Sequence, residues 1–248
     1  MISGAAMALA GVVAVYLGGW YFGALAVLAA GLMVWELAGM MGADRAAVPL
    51  GVLAAVSLFA ASMIPPGAAQ LLLLAAPLAG ACAIRCDRTL FAAYALAILI
   101  AAHGLYGFRL ANGGTWLFWL ILVVITSDVS GYFAGRLIGG PKFWPRVSPK
   151  KTWSGTIAGW IGAAIVGAIF ISFTTAGADL IWISALVALA SQLGDIVESA
   201  IKRRKGVKDS SRLIPGHGGL LDRFDGLLGA ALMMLLVALF VAVPSVRI

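Results

Sequence analysis

Apolar residues fill this chain in long runs that stop only where Gly, Pro or charged residues gather. The stops divide it into nine segments, 2–18, 21–41, 48–64, 67–84, 89–107, 114–138, 154–176, 179–200 and 217–243. An α-helix needs roughly 20 mostly apolar residues to cross a hydrocarbon layer, and most of these runs come close to that length. Because a spanning segment must satisfy its own backbone hydrogen bonds, the pattern predicts an all-α polytopic membrane protein of about nine transmembrane helices. No internal repeat interrupts the series. Residues 1–110 are expected to form a helical scaffold with a candidate dimer contact, and residues 111–248 to carry the chemistry.

Composition agrees with the pattern. Of 248 residues, 62% are apolar and 11% charged, whereas a soluble domain carries roughly 25% charged residues. The net charge of +7 does not argue for nucleic acid, since most cations sit in short connections between apolar runs. Arg45, then Arg85 and Arg88, then Lys142, Arg146, Lys150 and Lys151, then Lys202, Arg203, Arg204, Lys205, Lys208 and Arg212 all follow even-numbered segments. Basic residues concentrate in cytoplasmic loops, so the N-terminus is expected in the cytoplasm and both long polar loops with it. Cys82 and Cys86 are too few for a disulfide framework and are expected to be packing residues. The N-terminal run lacks a basic stretch before it and a small-residue cleavage site after it, and is expected to be retained as a span.

An ionisable group inside a span costs at least about 2.5 kcal/mol on insertion scales and calls for a partner or a function. Six carboxylates meet that description: Glu36, Asp128, Asp195, Glu198, Asp222 and Asp225. The expected topology puts all six near one face of the membrane, which predicts a single cavity open to the cytoplasm. Asp195, Glu198, Ser199 and Lys202 share one helix face, and Asp222 and Asp225 are three apart. Paired carboxylate faces suit Mg²⁺, a hard cation held by one or two carboxylates plus substrate phosphates. Glu36, alone on its helix, fits a structural partner of a cation better.

Both polar loops border this layer. Ser148-Pro149-Lys150-Lys151-Thr152 leads into a helix near Ser154, so two ammonium groups and a helix start can meet a phosphate. Pro215-Gly216-His217-Gly218-Gly219 runs into the last segment, where glycines permit close backbone approach to a ligand. Phosphate beside a divalent ion is the chemistry that uses both signs of charge.

These stretches, with Ser199 to Arg203, Lys208 to Ser210, Leu220 to Asp225, and Asp128 to Arg136 upstream, closely resemble the signature of the phosphatidate cytidylyltransferase (CDP-diacylglycerol synthase) family. The resemblance covers about residues 128 to 226. It implies an enzyme that transfers CMP from CTP to phosphatidate; the compact chain without a targeting peptide is expected in a bacterial inner membrane, its active site facing the cytoplasm and its lipid substrate taken from the inner leaflet. The products are CDP-diacylglycerol and pyrophosphate. It further implies Mg²⁺, with a second cation left open, a membrane-lipid setting and a homodimer. Asp195 and Asp222 become metal-binding carboxylates, with Asp209, Asp225 and Ser199 near them. Lys150, Lys151, Lys202, Arg203, Lys208, His217 and Arg223 become phosphate ligands, and Asp128, Gly218 and Gly219 join the substrate site. Asp195, Asp222, Lys202, Lys151 and His217 are the expected catalytic set. Ser154 and Gly226 depart from the family pattern, where Glu and Ser are frequent. Two rivals use similar residues: a transporter of an anionic solute, and a related CTP-dependent lipid or polyprenol enzyme.

Overall fold

A computed structural model describes residues 2–65, 67–214, 216 and 218–244. Among them the chain forms α1 (Ile2–Leu17), α2 (Gly19–Met40), α3 (Asp44–Met63), a 3-10 segment (Ala68–Leu74) leading into α4 (Ala75–Ala83), and α5 (Arg88–Asn112). There follow α6 (Thr115–Leu137), β1 (Lys142–Trp144), β2 (Ser148–Thr152), α7 (Trp153–Ile171), α8 (Asp179–Arg204) and α9 (Leu221–Ala238). The all-α expectation holds apart from one short hairpin. Among the described residues six helices, α2, α3, α5, α6, α7 and α8, are long and apolar enough to cross a membrane. The predicted count of nine is not reached on those grounds. α1 has only 16 residues, the fourth segment is broken between 3-10 and α geometry, and α9 carries Asp222, Arg223 and Asp225 near its start. With several spanning helices this is a multi-pass membrane protein.

Two compact units divide the chain, one formed by residues 1–113 with 204–224 and the other by 114–203 with 225–248. In the first, α2 packs on α3 and α5, and α4 packs on α5. The inward face of α3 presents Ala47, Leu50, Gly51, Ala54, Leu58 and Ala61, whereas Val48, Val52, Val56, Phe59 and Met63 point out. Four of these six inward residues are Ala or Gly and the outward ones are all bulkier, which inverts the soluble pattern. Lipid is as apolar as Leu, so helices associate through close backbone approach rather than through hiding bulky side chains. Gly31 and Gly51 show that approach, since a Cβ on either would come within 3.0 Å of the other's carbonyl oxygen.

Polar residues close the ends of this unit. Arg109 on α5 donates to the carbonyls of Val15 (3.1 Å) and Tyr16 (3.4 Å), the orphan acceptors at the C-terminus of α1. Asp87, the left-handed residue before α5, is ion-paired with Lys205 at 2.7 Å and with Arg204. Lys205 foremost, then Arg204, hold its carboxyl below the usual range. Cys82 and Cys86 are free and exposed, so the packing role expected for them is not found.

In the second unit α6 crosses α7 along a seam of small residues. A Cβ on Gly159 would meet Gln192 Nε2 and Ser127 Oγ, and one on Gly162 would meet Ser130 Oγ at 2.7 Å. Ile157, Ile161, Ile165 and Ile169 form the opposite, exposed row of α7. The polar connection ahead of α7, expected as an irregular loop, is an antiparallel hairpin pairing Lys142 with Thr152 and Trp144 with Ser148. Its ends are tied by Trp153 N–H to the Pro141 carbonyl (3.0 Å) and by the Phe143 and Trp153 rings, 4.7 Å apart. Thr152 then caps α7 by accepting from the Gly155 N–H at 3.2 Å. Such a cap satisfies one of the first unpaired donors of a helix.

Candidate active site

The hairpin decides where its lysines go. Successive side chains of a strand point to opposite faces, so Lys150 is exposed while Lys151 turns toward α8. There its ammonium reaches Asp195 Oδ2 at 2.5 Å and donates to the Gln192 carbonyl at 3.2 Å. Asp195 also accepts from Ser199 Oγ, one turn along α8, at 3.2 Å. One further turn on, Lys202 pairs with Glu198; Glu198 is fully buried and Lys202 nearly so. The shared helix face expected of Asp195, Glu198, Ser199 and Lys202 is therefore present. α8 runs about one turn past its expected end, so Lys202 and Arg203 belong to the helix and not to the loop. Asp128 on α6 lies within electrostatic reach of Lys151 and Asp195, and Asp225 on α9 within reach of Asp195, Lys202 and Lys151.

Beside this charge cluster is a cavity of about 350 Å³. Ser127, Asp128, Tyr132, Arg136, Lys150, Lys151, Thr156 and Gln192 line it, with Gly131, Gly135 and Gly155 giving it room. Of the carboxylates singled out in the sequence, Asp128 lines this cavity. Asp195 and Glu198 are drawn onto lysines, and in the first unit Glu36 and Asp222 cluster around Ser210.

That cluster organises the loop ahead of α9. Glu36, 2% exposed on α2, accepts from Ser211 Oγ at 2.6 Å, Leu220 N–H at 2.8 Å and Leu221 N–H at 2.7 Å. Its partners are thus hydroxyl and backbone donors rather than the cation expected for it. The two amides are orphan donors at the helix start, where a carboxylate also meets the positive end of the helix dipole. Asp222 Oδ2 accepts from Ser210 N–H (2.8 Å), Ser210 Oγ (2.7 Å) and Gly219 N–H (2.7 Å). Ser210 Oγ also lies 3.4 Å from Glu36, but a hydroxyl has one proton and the shorter contact takes it. Gly219 has no room for a side chain, because a Cβ there would strike Ser210 Oγ and Glu36 Oε1. A Cβ on Gly218 would lie 2.8 Å from Asp222 Oδ2 and 3.5 Å from the Cβ of Asp209. Lys208, Asp209, Arg203 and Arg223 are exposed. His217 lies outside the described residues.

Among the described residues no three His, Cys, Asp or Glu groups come together to hold a metal ion by themselves. The aspartates nevertheless supply an all-oxygen donor set, which fits a hard cation completed by substrate phosphates. Sequence reasoning missed Gln192, Tyr132 and Arg136 in the lining of the cavity and the serines at 210 and 211 as partners of the carboxylates. For Gln192 a signal was there: it precedes Asp195 by three and Ser199 by seven, on the same helix face.

The sequence profile of the cytidylyltransferase family matches residues 1–241. A protein of Brucella abortus biovar 1 (strain 9-941) named phosphatidate cytidylyltransferase is 45% identical over 137 residues, 54% of this chain and 50% of that protein. Proteins of the same name from Mycobacterium tuberculosis (strain ATCC 25618 / H37Rv) and Staphylococcus saprophyticus subsp. saprophyticus are also 45% identical. Those matches run over 127 residues (48% of this chain, 37% of the relative) and 118 residues (46% and 45%). The chain thus spans about half the length, or less, of the curated relatives it matches. With nearly its whole length inside the profile, the chain belongs to the cytidylyltransferase family.

Proposed function

We propose that this chain transfers CMP from CTP to phosphatidate, yielding CDP-diacylglycerol and pyrophosphate. The observation that carries the reading is the cavity edged by Lys150, Lys151 and Arg136, with Lys151 on Asp195, in a chain otherwise made of apolar helices. Cations next to carboxylates in such surroundings suit a phosphate ligand that arrives with its own counter-ion. The relatives' names supply the substrates.

The nucleophile is a phosphate oxygen of phosphatidate, already anionic at neutral pH, so the chain needs no strong general base. It attacks the α-phosphorus of CTP, and the bond from that phosphorus to the bridging oxygen breaks, its electron pair leaving with pyrophosphate. The barrier is repulsion between two anions held in line, and positioning with charge neutralisation lowers it. Lys150, Lys151 and Arg136 draw in the triphosphate. A phosphate oxygen at Lys151 would replace Asp195 as its partner and release that carboxylate for a cation. Mg²⁺, when bound, would spread positive charge over the phosphates; the family resemblance assigns Asp195, Asp222, Asp225 and Asp209 as the acids that would hold it.

The arrangement of basic loops favours a cytoplasmic mouth reached by CTP, with phosphatidate entering from the inner leaflet of a bacterial inner membrane. The family resemblance adds a homodimer. Membranes carrying the protein, incubated with CTP labelled at the α- or the γ-phosphate, test the reading. Label is expected in lipid from the α-phosphate only, and Asp195→Asn and Asp222→Asn are expected to lower it at least about 100-fold. Label from the γ-phosphate, or none in lipid, refutes it.

A further inference from the structure

Glu36 is more than 170 positions from the residues it contacts, on a helix with no other charged residue. Its carboxylate is buried, and three close donors from the 210–221 stretch converge on it. Two of those donors are the backbone amides at which α9 begins. The next residue, Asp222, turns back to grip Ser210 and Gly219 of the same loop. Glu36 and Asp222 therefore hold residues at both ends of one loop, and Ser210 and Ser211 divide between them.

From this geometry we infer that Glu36 is a positioning residue for the reaction: it fixes the start of α9 and the preceding loop, and so sets the orientation of the Asp222 carboxylate. The inference rests on the proposed cytidylyl transfer for its consequence, not for its geometry. It gives the first unit a part in turnover beyond scaffolding. A glutamine at this site keeps the length but has one acceptor oxygen, and its NH₂ faces donors, so at least one helix-start amide loses its partner. Ser211→Ala removes a single donor and leaves the backbone untouched.

Two readouts test it in purified full-length protein lacking Cys82 and Cys86 (both replaced by Ser). One is kcat and KM for α-labelled CTP per mole of folded protein, and the other is the maleimide labelling rate of Arg212→Cys, an exposed loop position. Glu36→Gln is expected to lower kcat about 10- to 100-fold, the range for partners that orient a metal-binding carboxylate. KM is expected to hold within about threefold, while labelling of the loop thiol accelerates. Ser211→Ala is expected to move both readouts the same way by less, and it decides the matter if Glu36→Gln does not fold. Unchanged kcat in either folded variant, or a kcat loss without faster labelling, overturns the inference. If the wild type moves no α-label into lipid, the functional reading falls, and labelling alone then decides whether Glu36 positions the loop.

Discussion

The Gln192 side chain makes three hydrogen bonds within the second unit. It is 8% exposed; its Oε1 accepts from Trp160 Nε1 at 3.1 Å, and its Nε2 donates to Ser127 Oγ at 3.2 Å and to the Thr156 carbonyl at 3.3 Å. One amide thereby links α6, α7 and α8. Leu has a similar volume, so Gln192→Leu removes the bonds without opening a void. Hydrogen bonds between membrane helices are worth about 0.6 kcal/mol on average, and buried ones in water-soluble proteins about 1 kcal/mol, so the three together amount to about 2–3 kcal/mol. Leu gains nothing in return, because helix burial from lipid has no hydrophobic drive. In a chain of this size that loss corresponds to a fall in Tm of about 5–10 °C. Thermal unfolding in detergent, followed by circular dichroism, measures it. Gln192→Glu sharpens the test: a carboxylate accepts from Trp160 but has nothing to donate to Thr156, and burial penalises its charge, so it should be the less stable of the two. A Gln192→Leu protein with Tm within about 1 °C of wild type, or Gln192→Glu as stable as wild type, would refute the reasoning.

Two other outcomes follow from close contacts in the same unit. Gly229→Ala should separate α9 from α8, because the added Cβ would meet the carbonyl of Ala190 and lie 3.1 Å from the Gly194 Cα; a loss of about 1–3 kcal/mol is expected from such overpacking, read by the same unfolding assay. Lys151→Met should cut kcat/KM for CTP about 100-fold or more, whereas Lys142→Met, on the exposed β1 strand, should leave it within about twofold; equal losses in the two variants would remove Lys151 from the site.

Much of the site was visible before any fold was known, and for a physical reason. Charged groups are rare inside apolar runs, so Asp128, Asp195, Glu198 and Asp222 stood out by cost alone, and the helical repeat put Asp195, Ser199 and Lys202 on one face. Partners were less legible. Ser210 and Ser211 sit in a polar loop where serines are ordinary, and nothing local ties them to Glu36. Gln192 is uncharged and carries little insertion penalty, so only its shared face with Asp195 pointed to it. The hairpin at 142–152 escaped because strands of three and five residues, with Pro149 in the second and Pro145 in the turn between them, have no alternation to detect.

By itself the sequence determined the solvent, the helical class, and the family, because hydrophobic run length and a long ordered motif are properties of the chain alone. Tertiary structure decided which opposite charges meet: Lys151 with Asp195, Lys202 with Glu198, and Glu36 with the first amides of α9. A charge in low dielectric takes the best partner within a few ångströms, and for residues far apart in the chain that distance exists only after folding.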